Sequence, residues 1–297
     1  MDNPPIQIPM GRPEGLTSEV LPSPERPDPD NPPYGIWAAL GLLFLTFAFM
    51  IVTQAVFLIP YTLRRGVKLE ALPEFLAKDA GAIFVEILSL PPAHLLTLGA
   101  AWLLVTRVGK YPFLRTLGWE WGRGLSFWRC VGLALLLLAT GYGIAWAGGE
   151  CDNDFERILR SSRAAVLAAA FAATFTAPLV EEVVFRGLLY PALRRLLGVG
   201  WAVAVVFFIF AGIHYWQYRP CYGVIGTIFL LSFVLTVIRA RTRNLLPCVF
   251  IHFIFNGVQC VILLLSPYLE GRLPQEPPPP APGLLAELFV RLFGAAW

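Results

Sequence analysis

Seven apolar stretches, each near the length of a bilayer crossing, take up most of this chain and leave it few ways to fold. They run from about Ile36 to Leu63, Gly81 to Thr106, Leu125 to Ala147, Ala164 to Tyr190, Trp201 to Gln217, Tyr222 to Ile238 and Leu245 to Leu265. A spanning helix needs about 20 predominantly apolar residues. A soluble helical bundle would instead need charged faces at helical spacing, and these runs lack them. Composition agrees: 57% of the 297 residues are hydrophobic and 14% charged, against about 25% charged in soluble domains. The expected fold class is all-α, a polytopic integral membrane helical bundle of seven transmembrane helices. An eighth follows if Pro178 breaks the fourth stretch rather than kinking it.

Composition also divides the chain. Residues 1–33 hold ten prolines, six acids and two arginines, too little apolar surface to fold, and read as a disordered proline-rich acidic tail. Residues 34–163 form the N-terminal transmembrane part and 164–266 a second membrane unit. Residues 267–297 combine a proline run with a short apolar helix carrying Glu287 and Arg291, suited either to lie on the membrane surface or to dock on the bundle. The polar N-terminus has no signal-peptide core. Five scattered cysteines (Cys130, Cys151, Cys221, Cys248, Cys260) indicate neither a disulfide framework nor a zinc knuckle. A net charge of +3 offers nothing to a nucleic acid, so none is expected as a partner. Alternate loops carry twelve and ten Lys/Arg, a small margin toward a cytoplasmic N-terminus.

Ionisable side chains at bilayer depth cost roughly 2.5–3.5 kcal/mol each on insertion scales, so those that occur there are functional candidates. One stretch contains Glu181, Glu182 and Arg186, the next His214, and the last His252 and Asn256. Glu182 and Arg186 are i,i+4 neighbours on a helix and can pair, whereas Glu181 points about 100° away. The i,i+4 spacing also sets His252 beside Asn256. Taken singly, each has a bland explanation: a structural ion pair, a satisfied core histidine, an interface histidine. Three polar sets on three apolar segments are harder to explain that way. Counted from the arginine-bearing loops, Glu181 and His214 lie about 21 Å deep and His252 about 13 Å. Tilt or a kink can absorb that difference.

A carboxylate beside an imidazole in a confined site can activate water. An imidazole with a carboxamide can stabilise the oxyanion formed when water adds to an amide. Glu181 and His214 suit the first task, and His252 and Asn256 the second, with Glu182 and Arg186 as support. Zinc is the competing chemistry, with Glu181, His214 and His252 as its ligands, although no HExxH motif is present. Glu86 and His94, eight residues apart on the second stretch, lie on nearly one face and can line the same cavity, or else pair with each other's neighbours or lie near helix ends.

The order Glu181-Glu182…Arg186, Phe210…His214, His252…Asn256 resembles the EExxxR, FxxxH and HxxxN motifs of the CPBP family. That family comprises the membrane-embedded CAAX prenyl endopeptidases and their bacteriocin-processing and abortive-infection relatives. The resemblance covers about Ala164 to Leu265. It implies an intramembrane endopeptidase acting on a membrane-associated protein or peptide within the lipid bilayer, with Glu181 as base, His214 its partner, and His252 and Asn256 at the oxyanion. No cofactor is strictly required, and zinc is possible because members are also described as metalloproteases. A bacterial plasma membrane is the expected location. Two other readings remain: a non-proteolytic scaffold or immunity-type protein that keeps the motif, and a transporter using a proton relay, the latter weakened by the lack of internal repeats.

Overall fold

The computed structural model describes residues 28–122, 124–149, 158 and 161–269. The expectations for residues 1–27, for the acidic stretch at 152–156 and for residues 270–297 lie outside the described residues. The elements are α1 (Ile36–Arg64), α2 (Leu72–Lys78), α3 (Ala80–Leu88), α4 (Leu90–Thr106), α5 (Phe113–Leu117), α6 (Phe127–Ala147), α7 (Arg163–Phe171), α8 (Ala177–Glu182), α9 (Tyr190–Tyr218), α10 (Tyr222–Thr242) and α11 (Leu246–Leu269). Two π-helical stretches, Ala172–Thr176 and Val183–Leu189, join α7 to α8 and α8 to α9. The described residues therefore form an all-α bundle.

Six helical runs among the described residues are long and apolar enough to cross a membrane. The longest, Arg163–Tyr218, has 56 residues. At 1.5 Å per residue it would extend about 84 Å if straight, far more than the ~30 Å hydrocarbon core. It breaks at Gly198, whose φ of 79° and ψ of 172° are non-helical and are open to glycine at no steric cost. Pro178 makes no such break. The chain stays helical through it because the preceding turn widens, the Ala177 N–H reaching back to the Ala172 carbonyl.

α1 is the most peripheral run: Trp37, Phe44, Ile51 and Leu63 all project outward, where acyl chains satisfy them as well as protein would. The centre of the bundle is the π stretch Val183–Leu189, in which all seven residues are buried. Val105 of α4, Val206 and Phe210 of α9, and Leu245 pack into the same core. Gly187 makes this fit possible: a Cβ there would meet Leu117 and Leu245 side chains at 3.1 and 3.3 Å. Cys130, Cys248 and Cys260 are buried thiols, while Cys221 is disulfide-bonded, which the scattered spacing of the cysteines did not suggest.

The last six residues of the proline-rich tail, Asp28–Pro33, are docked rather than loose. Composition predicts no fixed structure for them, but arginines from the helix ends supply the partners that apolar burial cannot. The Asp30 carboxylate meets Arg194, Arg239 (3.7 Å) and Arg243 (2.7 Å). Backbone carbonyls of Pro29, Pro32 and Pro33 accept from Arg239, Arg195 and Arg107 at 2.6, 2.9 and 2.7 Å.

This strap reaches the core through Tyr34, whose hydroxyl donates to the Gly187 carbonyl at 2.9 Å. Arg239 Nε donates to the neighbouring Arg186 carbonyl at 3.0 Å. The cause lies in the sequence. Pro191 has no N–H to give the carbonyls four and five residues behind it, which are those of Gly187 and Arg186. Side chains from elsewhere fill both vacancies. Tyr34→Phe should therefore lower stability by about 1–3 kcal/mol, the cost of an unsatisfied buried acceptor, read as a fall in the thermal midpoint in detergent. Burial pushes the Tyr34 phenol well above its ordinary value of 10.0. Its contribution should be complete below about pH 10 and be lost as pH rises beyond that, because only the unfolded phenol ionises there.

Candidate active site

The site is built on the turn between the two π stretches. Arg186 is fully buried and each of its guanidinium nitrogens is engaged. Nη1 donates to Glu182 Oε1 at 2.9 Å, Nε to Thr236 Oγ1 at 3.2 Å, and Nη2 to both the carbonyl and the hydroxyl of Ser232 at 3.1 Å. Its flat face lies 4.3 Å from the centre of the Phe210 ring. α10 thus supplies a polar seat for a cation that lipid could not solvate, and α9 supplies an aromatic face.

Glu182, with 0% exposure, also receives His252 Nδ1 on the same oxygen, Oε1, at 2.9 Å. Its Oε2 is buried with no hydrogen-bond partner among the described residues. A carboxylate is an acceptor only, so the His252 Nδ1 carries the proton in this contact. The other ring nitrogen, Nε2, faces Glu181 Oε2 at 3.8 Å, beyond direct hydrogen-bond reach and at a spacing a small shift or one water can close. Glu181 retains 26% side-chain exposure, whereas Glu182 has none. The two neighbouring acids therefore have different environments, one locked in an ion pair and one open.

His214 is half-buried, and its Nδ1–H donates to the Phe210 carbonyl one turn behind at 2.8 Å. That fixes Nε2 as the nitrogen with the free lone pair. The Phe210 ring lies beside both imidazoles, its centre 4.8 Å from that of His214 and 6.2 Å from that of His252. Asn256 does not hydrogen-bond to His252; its Nδ2 donates to the Ala173 carbonyl at 2.9 Å. Here too a proline is the cause, since Pro178 cannot donate to the carbonyl five residues back in the π register. One of the two Asn256 N–H groups is used in this way, and the second remains for another acceptor.

Glu181, Glu182, Arg186, His252 and Phe210 are thus gathered in one cluster. His214 joins it through aromatic contacts, and Asn256 through the backbone ahead of Glu181. Among the described residues no group of three or more His, Cys, Asp or Glu side chains is placed to hold a metal ion.

Residues 163–258 match the family model described as type II CAAX prenyl endopeptidase Rce1-like. The segment is Rce1-like. It covers less than half of the chain but includes every one of these site residues, and it supports membership of the CPBP family. No curated protein and no solved structure matches the chain. The Rce1-like segment and the six apolar runs support an integral, multi-pass membrane protein that carries a segment similar to CAAX proteases.

Several residues that engage the Rce1-like segment come from outside it or from outside its motifs. Thr236 and Ser232 seat Arg186, and Arg239 and Tyr34 hold the carbonyls that follow. His94 of α4, 7% exposed, meets Thr176 Oγ1 through Nδ1 at 2.8 Å. Glu86 is half-buried one helix earlier, its carbonyl accepting the Ser89 hydroxyl at 2.6 Å. Among these, His94 and Glu86 carried a sequence signal, each an ionisable group inside an apolar run.

Proposed function

We propose that the chain is an intramembrane endopeptidase that hydrolyses a peptide bond of a membrane-associated substrate with a water activated by Glu181. The observation that carries this is the contrast within the acid pair. Glu182 is neutralised by Arg186 and hydrogen-bonded to His252, whereas Glu181 is partly open and faces the other nitrogen of the same imidazole.

In the proposed reaction Glu181 takes a proton from water as the water oxygen bonds to the scissile carbonyl carbon. His214 Nε2, with its free lone pair, orients that water. The carbonyl oxygen becomes an oxyanion. For His252 Nε2 to donate to it, both ring nitrogens must carry protons, because Nδ1–H is committed to Glu182. The charge of that doubly protonated ring opposes that of the oxyanion. The free N–H of Asn256 is the second donor. Collapse breaks the C–N bond, and the proton held by Glu181 passes to the leaving amine. The products are a new carboxylate and a new amine.

The test uses purified protein in proteoliposomes with two reporter peptides of one sequence, one ending in a prenylated cysteine and one in an unmodified apolar segment. Cleavage in H₂¹⁸O should place one ¹⁸O in the new carboxyl group, and the preferred peptide defines the substrate class. Failure to cleave either peptide, by a protein with a cooperative thermal transition, would favour the scaffold reading.

A further inference from the structure

The chain has three histidines in 297 residues. Two belong to the motifs. The third, His94, lies on α4, outside the Rce1-like segment. It is buried, and its Nδ1 meets Thr176 Oγ1 at 2.8 Å. Thr176 Oγ1 also reaches the Ala172 carbonyl at 3.3 Å, so its hydroxyl links the His94 ring to the backbone of the π stretch.

Thr176 closes the π stretch Ala172–Thr176, and the short helix Ala177–Glu182 that carries Glu181 begins at the next residue. That junction lacks ordinary helical support. Its turn is wide, Pro178 donates no N–H, and the Ala173 carbonyl depends on Asn256 from α11. His94 grips the same junction from α4. The two contacts hold the turn from two helices, Asn256 at Ala173 and His94 at Thr176. Moreover, Glu181 lies within electrostatic reach of His94.

We propose that His94 is a positioning residue for Glu181: through Thr176 it fixes the π turn that sets the Glu181 carboxylate against the His252 imidazole. The inference rests on the proposed peptidase reading for its kinetic consequence, but the geometric claim stands apart from activity. The requirement is for one hydrogen-bonding group at the Nδ1 position. An asparagine carries an N–H near the Nδ1 position and should replace His94, whereas leucine should not.

The test reads the His252 imidazole by ¹⁵N NMR of histidine-labelled protein in detergent, where only three imidazoles contribute. In Glu181→Gln the His252 Nε2 resonance should shift because the facing carboxylate is gone. His94→Leu and Thr176→Val should each shift it the same way, and the double variant no further, while His94→Asn should leave it at the wild-type position. Thermal midpoints of all variants are recorded alongside. An unmoved His252 resonance in His94→Leu, or His94→Asn behaving like His94→Leu, would overturn the proposal. In the peptide assay His94→Leu and Thr176→Val should lower kcat roughly 10- to 100-fold, the scale of a small misplacement of a reacting group, with KM little changed. If the wild type cleaves nothing, the peptidase reading fails, and the resonance still decides whether His94 sets Glu181.

Discussion

Replacing Arg186 by methionine is expected to destabilise the protein by about 3–5 kcal/mol, the usual penalty for stripping one partner from a buried ion pair. Whole domains are stable by only about 5–15 kcal/mol, so a large fall in the thermal midpoint should follow. The reason is not the lost attraction alone. Glu182 has no exposed surface, and without the guanidinium its charge would sit in the bundle with only His252 beside it. Thr236 Oγ1 and Ser232 Oγ would lose the donor they now share. Removing the charge together with its partner should cost less. The double variant Arg186→Met with Glu182→Leu is therefore expected to recover part of the loss, measured by thermal unfolding of the single and double variants in one detergent. A double variant no better than the single would show that the cost lies in packing against Phe210 rather than in the orphaned acid.

His252→Gln is expected to lower kcat by about 10²–10³-fold, the scale for removing one oxyanion donor, with KM little moved. The glutamine retains bulk and a hydrogen-bonding end but cannot become a cation or donate to Glu182 and the oxyanion from opposite sides of a ring. Under the proposed mechanism His252 is most valuable when the oxyanion has formed, so its loss should appear in the chemical step and not in binding. The variant also leaves the Glu182–Arg186 pair in place, so the thermal midpoint should fall far less than in Arg186→Met. Steady-state kinetics on a cleaved reporter peptide, set beside thermal unfolding, separates the two effects.

Much of this was legible in the sequence for simple physical reasons. Apolar runs with few charges have one solvent that suits them, and the helical class follows. The i,i+4 spacing of Glu182 and Arg186 identified the ion pair, because helix geometry fixes which neighbours meet. The same rule sets His252 beside Asn256 but does not reveal their partners. They share a face, yet each has a stronger claim elsewhere, His252 on Glu182 and Asn256 on the carbonyl that Pro178 orphans. That demand, and the matching one that Pro191 makes on Tyr34 and Arg239, depends on the π register, which a residue count at 3.6 per turn does not reveal. Asp28–Pro33 was illegible for another reason. Its partners are arginines 70 or more residues away that only the folded bundle brings together. His94 stood out as an ionisable residue in an apolar run, but its partner Thr176 carries no signal of its own.

The central claim is that Glu181, and not its neighbour, activates the water. The most direct measurement compares wild type with Glu181→Gln, purified in the same detergent and reconstituted with the reporter peptide that the wild type cleaves. The account predicts a loss of roughly 10²–10⁴-fold in kcat, the contribution of a positioned general base, with an unchanged thermal midpoint because Glu181 is partly exposed and outside the buried pair. Full cleavage by a folded Glu181→Gln variant would contradict it.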